Sequence, residues 1–219
     1  MFKIEIEEKL KMTCPNLQLG AIECNVNMQT NCPKLWEEIK NYTERIENNL
    51  SFESIREISA IQNSRKAYRT IGKDPSRYRL SSEALLRRLV NKKGLYQINN
   101  VVDLLNLVSV HSGFSIGGYN ADKIKGIIRF GIGEAHEVYQ GIGRGILNID
   151  KLPVFRDDIS AFGSPTSDSP RTQIDDNCKR FLMIFISFQM ENGLLEAMDF
   201  AQSLLVKYAQ GNQFETCIL

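Results

Sequence analysis

Three groups of residues carry the side chains that chemistry would need. The first lies in QINNVVDLLNLVSVH, where Asn99, Asp103 and Asn106 recur at spacings of four and three and so share one face of a helix. The rest of that helix, from Val101 to Val108, is apolar nearly all round, which predicts burial. A polar stripe on a buried helix needs partners, since an unpaired amide or carboxylate there costs about 1–3 kcal/mol. Backbone or water would serve, and so would a ligand in a polar cavity. His111 follows on the same helix, and either it or Asp103 is a candidate to orient a water molecule.

The second group is AFGSPTSDSPRT, residues 161–172. Gly163, Ser164, Thr166, Ser167 and Asp168 make this either a solvated turn region or a wall of hydroxyl and backbone donors. Arg171 stands three residues after Asp168 and would brace the loop or meet a phosphate. Gly117 and Gly118, in SIGGYN, permit close backbone approach or a positive φ. Neither this pair nor GIGRGI precedes a convincing helix, which excludes a dinucleotide fingerprint.

The third group is cationic. Between Arg65 and Arg88 eight bases face two acids, a local charge of +6 inside a chain whose total is only +1. Arg65, Arg69, Arg77, Arg79 and Arg87 lead this set, with Tyr68 and Tyr78 interleaved. Guanidinium forks suit phosphate oxygens, and aromatic faces suit unstacked bases. A solvated face and internal ion pairs are the other ways such a run is used.

These groups must be held by a fold, and 219 residues with 42% hydrophobic side chains can bury a core. Alternation predicts short strands at residues 2–6 and 17–26. Pro33 opens a helix, and Ser51 caps a second one whose apolar residues include Phe52, Ile55, Ile58 and Ile61. Asp74 and Pro75 start a short helical piece, and Ser81 or Ser82 caps EALLRRLV, with Gly94 ending it. Asn99 or Asn100 caps the polar-striped helix, and Gly113 stops it. Beyond Gly113, β-branched runs punctuated by glycine predict a curved sheet or barrel. FLMIFISF is a buried strand, and ENGLLEAMDFAQSLLVKYAQG closes the chain as a helix. The fold class is therefore α+β: a barrel-like mixed or antiparallel sheet flanked by helices in one domain. Within it, residues 1–64 form an N-terminal part and residues 176–219 a closing strand and helix. The five cysteines have irregular spacings and neither histidine has ligand spacing, so no metal or other cofactor is expected. With no apolar signal core and no membrane-spanning run, a cytoplasmic protein is expected.

RKAYRTIGKDPSRYRLSSEALLRRL, LYQINNVVDLLNLVS, SIGGYNADKIKG and FGSPTSDSPRT together resemble the B3/B4-type tRNA-editing domain of the phenylalanyl-tRNA synthetase β-subunit, most clearly from Arg65 to Thr172. The resemblance implies an α+β editing fold and hydrolysis of tRNA-Phe wrongly charged with tyrosine. It implies action in trans, on the aminoacylated 3′ end of tRNA, with no obligate protein partner. It places Asp103 and Asn106 on a pocket-lining helix and Gly163 in a pocket loop. Two positions depart from the synthetase pattern: Gly117 stands where a histidine is usual, and Thr166 or a neighbour stands where a pocket glutamate is usual. Both family residues position the amino acid.

The reaction so implied is hydrolysis of an activated ester, which a positioned water and an oriented carbonyl suffice to carry out. Asp103, His111 or the ribose hydroxyl would orient the water, and amides near Gly117, Gly118 and Gly163 would hold the oxyanion. Two other readings remain open: a tRNA- or RNA-binding module without catalysis, and a small-molecule binder that retains the pocket.

Overall fold

The computed structural model describes residues 2–191 and 193–219. In chain order it forms β1 (Ile4–Ile6), α1 (Glu8–Thr13), β2 (Gln18–Asn25), α2 (Pro33–Asn49), α3 (Phe52–Ile55), α4 (Ser59–Ile71), α5 (Ser81–Val90), α6 (Asn100–Ser112) and β3 (Ser115–Asn120). There follow β4 (Ile128–Ile132), β5 (Gln140–Gly141), β6 (Gly145–Ile146), β7 (Pro153–Arg156), β8 (Ala161–Gly163), β9 (Arg180–Ser187), α7 (Gly193–Ala209) and β10 (Asn212–Ile218).

The class is α+β, with two open four-stranded sheets in the orders β1-β4-β7-β8 and β10-β2-β9-β3, and a β5-β6 hairpin. Among the described residues no closed barrel forms. β9 explains the second sheet: its continuous apolar run is buried on both faces and pairs antiparallel with β2 on one side and β3 on the other. Helices α6 and α7 cover one face of that sheet, where Leu105 lies against Gly118 and Met198 against Gly20. On the opposite face, the Tyr119 ring of β3 makes edge contacts with Phe155 of β7 and Phe162 of β8, which joins the two sheets. The N-terminal part is interleaved with the rest, because β1 pairs with β4 and β2 with β9. No helix among the described residues is long and apolar enough to cross a membrane.

Four local expectations change. The helix capped by Ser51 lasts only one turn; the chain is extended at Ile58 and restarts as α4. Ile55, Ile58 and Ile61 recur every three residues, a period no single α-helix keeps on one face, and the break lets Ile55 and Ile61 both be buried. Asp74–Tyr78 is a single turn, with the Asp74 carboxylate accepting from the Ser76 amide at 2.8 Å, and it does not form the expected helical piece. Neither Ser81 nor Ser82 caps α5. The Ser81 amide donates to the Pro165 carbonyl at 2.8 Å, and the Ser82 hydroxyl lies 3.3 Å from that of Ser115. Those serines serve tertiary links. Finally, β10 follows α7 as an edge strand on β2, with a register shift between Asn212 and Glu215. Its side chains are mostly exposed, and Phe214, Cys217 and Ile218 do not alternate, so there is no core pattern to read.

Asn99 does cap α6, accepting from the Val102 amide at 2.9 Å, and Gly113 ends it at φ 79°. The neighbouring Asn100 is a buried bolt. Its Oδ1 accepts from the Gln29 amide at 2.8 Å, and its Nδ2 donates to the carbonyls of Asn27 and Tyr208, each at 2.9 Å. It thus ties the end of β2 and the last turn of α7 to the start of α6. Asn100→Ala orphans one buried backbone group, the Tyr208 carbonyl, and two part-buried ones, so a loss of about 1–3 kcal/mol is expected in urea unfolding. A change under about 0.5 kcal/mol would show that the bolt contributes nothing.

Candidate nucleic-acid interface

Helix α5 builds the site. A buried ion pair fixes the helix: Arg65 of α4 donates to Glu83 of α5 at 2.7 Å, with both side chains nearly inaccessible. The Ser81–Pro165 bond ties its first turn to the loop after β8. Its outer face then borders an open cleft of about 510 Å³, walled also by α6, the β5-β6 hairpin and the loop after β8. Arg79, Arg87, Arg88, Lys93 and Arg144 all line this cleft, and no Asp or Glu does among the described residues. Asn106 and Thr166 complete the wall, with Ser81, Asn91 and Tyr96.

The polar stripe of α6 divides by function. Asn106 faces the cleft. Asp103 does not: it is buried, accepting from the Ile98 amide at 2.8 Å and from the Trp36 indole at 2.7 Å. Burial pushes its carboxyl above the usual range, against these hydrogen bonds. Asp103 is thus a support for the loop between α5 and α6, not a group facing a substrate. His111 points elsewhere again, packing between Tyr42 and Phe200 at ring separations of 5.3 and 4.6 Å. Burial lowers its affinity for a proton.

The glycines make room for a side chain of the protein itself. A Cβ on Gly117 or on Gly163 would lie 2.1 Å from the Tyr119 hydroxyl, so the Tyr119 ring occupies the slot between β3 and β8. A Cβ on Gly118 would strike Leu105 of α6 at 2.4 Å. The Tyr119 hydroxyl donates to Asp168 at 3.0 Å, and the nearby backbone of Gly118 and Ser164 favours the charged form of the same carboxyl. The expectation that an oxyanion would sit against these backbones meets a filled space: Tyr119 covers Gly117 and Gly163, and Leu105 covers Gly118.

The loop of residues 161–172 is braced, not a solvated turn. Ser164 Oγ accepts from the amides of Thr166 and Ser167 and donates to the Ser167 carbonyl. The hydroxyls of Thr166 and Tyr68 meet at 3.0 Å, and Tyr139 donates to the Ser167 carbonyl at 2.6 Å. Arg171 pairs in bidentate fashion with Asp157, at 2.8 and 3.1 Å, rather than with Asp168.

Of the cationic set, Arg79 and Arg87 line the cleft, the latter with its guanidinium over the Phe52 ring. Arg65 is spent inside on Glu83. Arg69 and Arg77 are exposed, outside the cleft wall. Tyr68 is fully buried and offers no face to a base, while the half-buried Tyr78 carries Lys73 over one face at 3.7 Å and lies outside the cleft wall. Arg88, Lys93, Tyr96 and Arg144 were not singled out from sequence. Arg88 and Lys93 read as ordinary cations of a helix end, and Arg144 was hidden in a glycine turn. Its position between two glycines at a hairpin tip was the available signal.

A family model described as the B3/4 domain matches residues 63–210. Among solved structures, an N-terminal fragment of the phenylalanyl-tRNA synthetase β-subunit from Pyrococcus horikoshii is similar with a TM-score of 0.51 at 14% identity. That likeness covers 97% of this chain and 50% of the fragment, so the chain spans half the length of its structural neighbour and shares its fold. A search among characterised proteins finds no match by sequence.

Asp168 gives the site a pH signature. Burial of its carboxyl, the largest influence, raises it to about 7 although the Tyr119 hydroxyl and the nearby backbone hold it down. The unfolded chain releases that proton near pH 4, so between about pH 4 and 7 the folded state binds more protons. Stability from this group is therefore full at low pH and is lost as pH rises through 7. Urea unfolding at pH 5 to 8 is expected to show the wild type losing stability relative to Asp168→Asn, and parallel profiles would refute the assignment.

Proposed function

This chain belongs to the B3/4 domain family, and on that premise we propose that it binds the 3′ end of tRNA in the cationic cleft and hydrolyses there, in trans, an amino acid wrongly esterified to it. One observation carries the reading: five cations and no acid converge on one open cleft beside Asn106 and Thr166. A wall of that charge suits consecutive phosphates, whose binding releases counterions. The solved neighbour is a fragment of a tRNA synthetase subunit, which supports tRNA as the nucleic acid. Such a substrate is met in the cytoplasm.

The chemistry asked of the cleft is modest. Water adds to the ester carbonyl, the ribose oxygen leaves with a proton, and free amino acid and a tRNA hydroxyl result. The Asn106 amide, which lines the cleft, is assigned as donor to the developing oxyanion, with guanidinium groups of Arg79 and Arg144 adding field. Among the described residues the cleft wall holds no carboxylate or imidazole, so the neighbouring ribose hydroxyl is assigned the proton traffic.

Tyr119 favours a second reading, binding without hydrolysis, because it fills the slot between Gly117 and Gly163 and leaves no space there for an amino-acid side chain.

Two outcomes test these readings. Arg79→Ala with Arg87→Ala is expected to weaken tRNA binding and to flatten the log–log salt dependence by about 1.4, at roughly 0.7 per phosphate contact on a single strand. Unchanged affinity in low salt would remove the cleft as the contact. On a panel of mischarged tRNAs, Asn106→Ala is expected to slow single-turnover deacylation about 10²-fold with tRNA affinity unaltered. Absence of hydrolysis by the wild type on every member would leave binding alone.

A further inference from the structure

We propose that Tyr96 is the platform on which an unpaired base stacks at the mouth of the cationic cleft, which makes a single-stranded RNA end the ligand the cleft is shaped for. This rests on the reading of the cleft as a phosphate-binding surface and adds to it a contact with the base.

Four observations converge. Tyr96 is the sole aromatic residue among the exposed large apolar side chains of the described residues, at 54% exposure. It lines the same cleft as Asn106, Arg79 and Arg144. Its ring is held: the Arg88 guanidinium carbon lies 3.8 Å from the ring centroid, and Arg88 Nε donates to the Gly94 carbonyl at 2.7 Å. The loop is pinned on its other side, where Asp103 accepts from the Ile98 amide and from the Trp36 indole.

The physical consequence is a pre-oriented aromatic face. Leaving so large a ring in water forgoes the gain of burying it, yet the protein fixes its position from both ends of the loop. A guanidinium on one face leaves the other for a flat, polarisable partner, and a nucleobase is such a partner. Phosphates of the same strand would then run along Arg79, Arg87 and Arg144. A duplex end offers no free base to this ring, and a free nucleotide offers the base but only one phosphate. The buried acid Asp103 becomes a positioning residue for this platform.

The test uses an uncharged RNA minihelix with a single-stranded 3′ tail ending in 2-aminopurine, a blunt-ended version of it, and adenosine monophosphate as competitor. The wild type is expected to quench the 2-aminopurine and to prefer the tailed RNA. Tyr96→Ala should abolish the quenching and weaken tailed-RNA binding by about tenfold to a hundredfold, with the blunt RNA unaffected. Tyr96→Phe should behave as wild type, since the ring and not the hydroxyl makes the stack. The monophosphate should compete only weakly, because it lacks the phosphate track. Steep salt dependence with equal affinity for tailed and blunt RNA, or quenching that survives in Tyr96→Ala, overturns the platform while the cleft reading stands. Strong competition by the monophosphate overturns the single-stranded end as ligand. Failure of the wild type to bind either RNA sinks both.

Discussion

The placement of Glu83 inside the protein is the constraint from which the charge pattern follows. A carboxylate buried this deeply is tolerable only with a cation at contact distance, and Arg65 supplies it at 2.7 Å. Because the pair spans α4 and α5, it sets the rotation of α5 about its axis. One acid and one base cancel in the interior, and the arginines on the outer face of α5 are left without an acidic neighbour in the cleft wall. Arg79 stands 4.0 Å from the second oxygen of Glu83, close enough to be oriented by it while its exposed end reaches the cleft. An internal ion pair thus leaves a cationic face, and swapping it for apolar residues would alter the direction of that face as well as stability.

Polar residues buried in α6 do comparable work. Asn100 joins β2 and α7 to the helix start, and Asp103 holds the loop that follows α5. Each turns a polar group that would otherwise be costly in the core into a fixed distance between a helix and a loop. The cleft is bordered by the elements so fixed: α5 by Glu83 and the Ser81–Pro165 bond, the loop carrying Tyr96 by Asp103, and the loop after β8 by Ser164 and Tyr139. Little of its wall depends on free surface chain.

How much of this was legible in the sequence depends on whether the signal was local. Periodicity and capping located α2, α6, α7, β2 and β9, because an apolar face, an Asn99 cap or a Gly113 stop is written in adjacent residues. The basic segment was visible as composition, but composition cannot distinguish Arg65, spent inside, from Arg79 on the wall. The stripe on α6 showed that polar groups needed partners. Only tertiary structure decides that Asp103 finds its partners in Trp36 and Ile98 while Asn106 faces open space. β10 was missed because an edge strand with one neighbour needs no apolar alternation. Arg171 and Asp168 are close in sequence, yet each has a different partner, since Asp157 arrives from the turn after β7.

The filled slot between β3 and β8 bears on what the site reads. Glycines at 117 and 163 look like openings in a sequence, because a missing side chain is a local absence. Here the space they release is taken by Tyr119, whose hydroxyl satisfies a carboxyl that would otherwise lie buried with fewer donors. Removing the ring would leave both an aromatic-sized void and an under-satisfied Asp168, so the arrangement is mutually enforced. Nothing in that slot can then discriminate one amino acid from another. Whatever selectivity the cleft has must come from groups that face it: Asn106, Thr166, the guanidinium groups and the Tyr96 ring. Those groups are matched to amide, phosphate and base chemistry more than to an aromatic side chain. On the proposed reading, such a site would meet the nucleic acid first, and an attached amino acid only through its ester and its immediate polar neighbours.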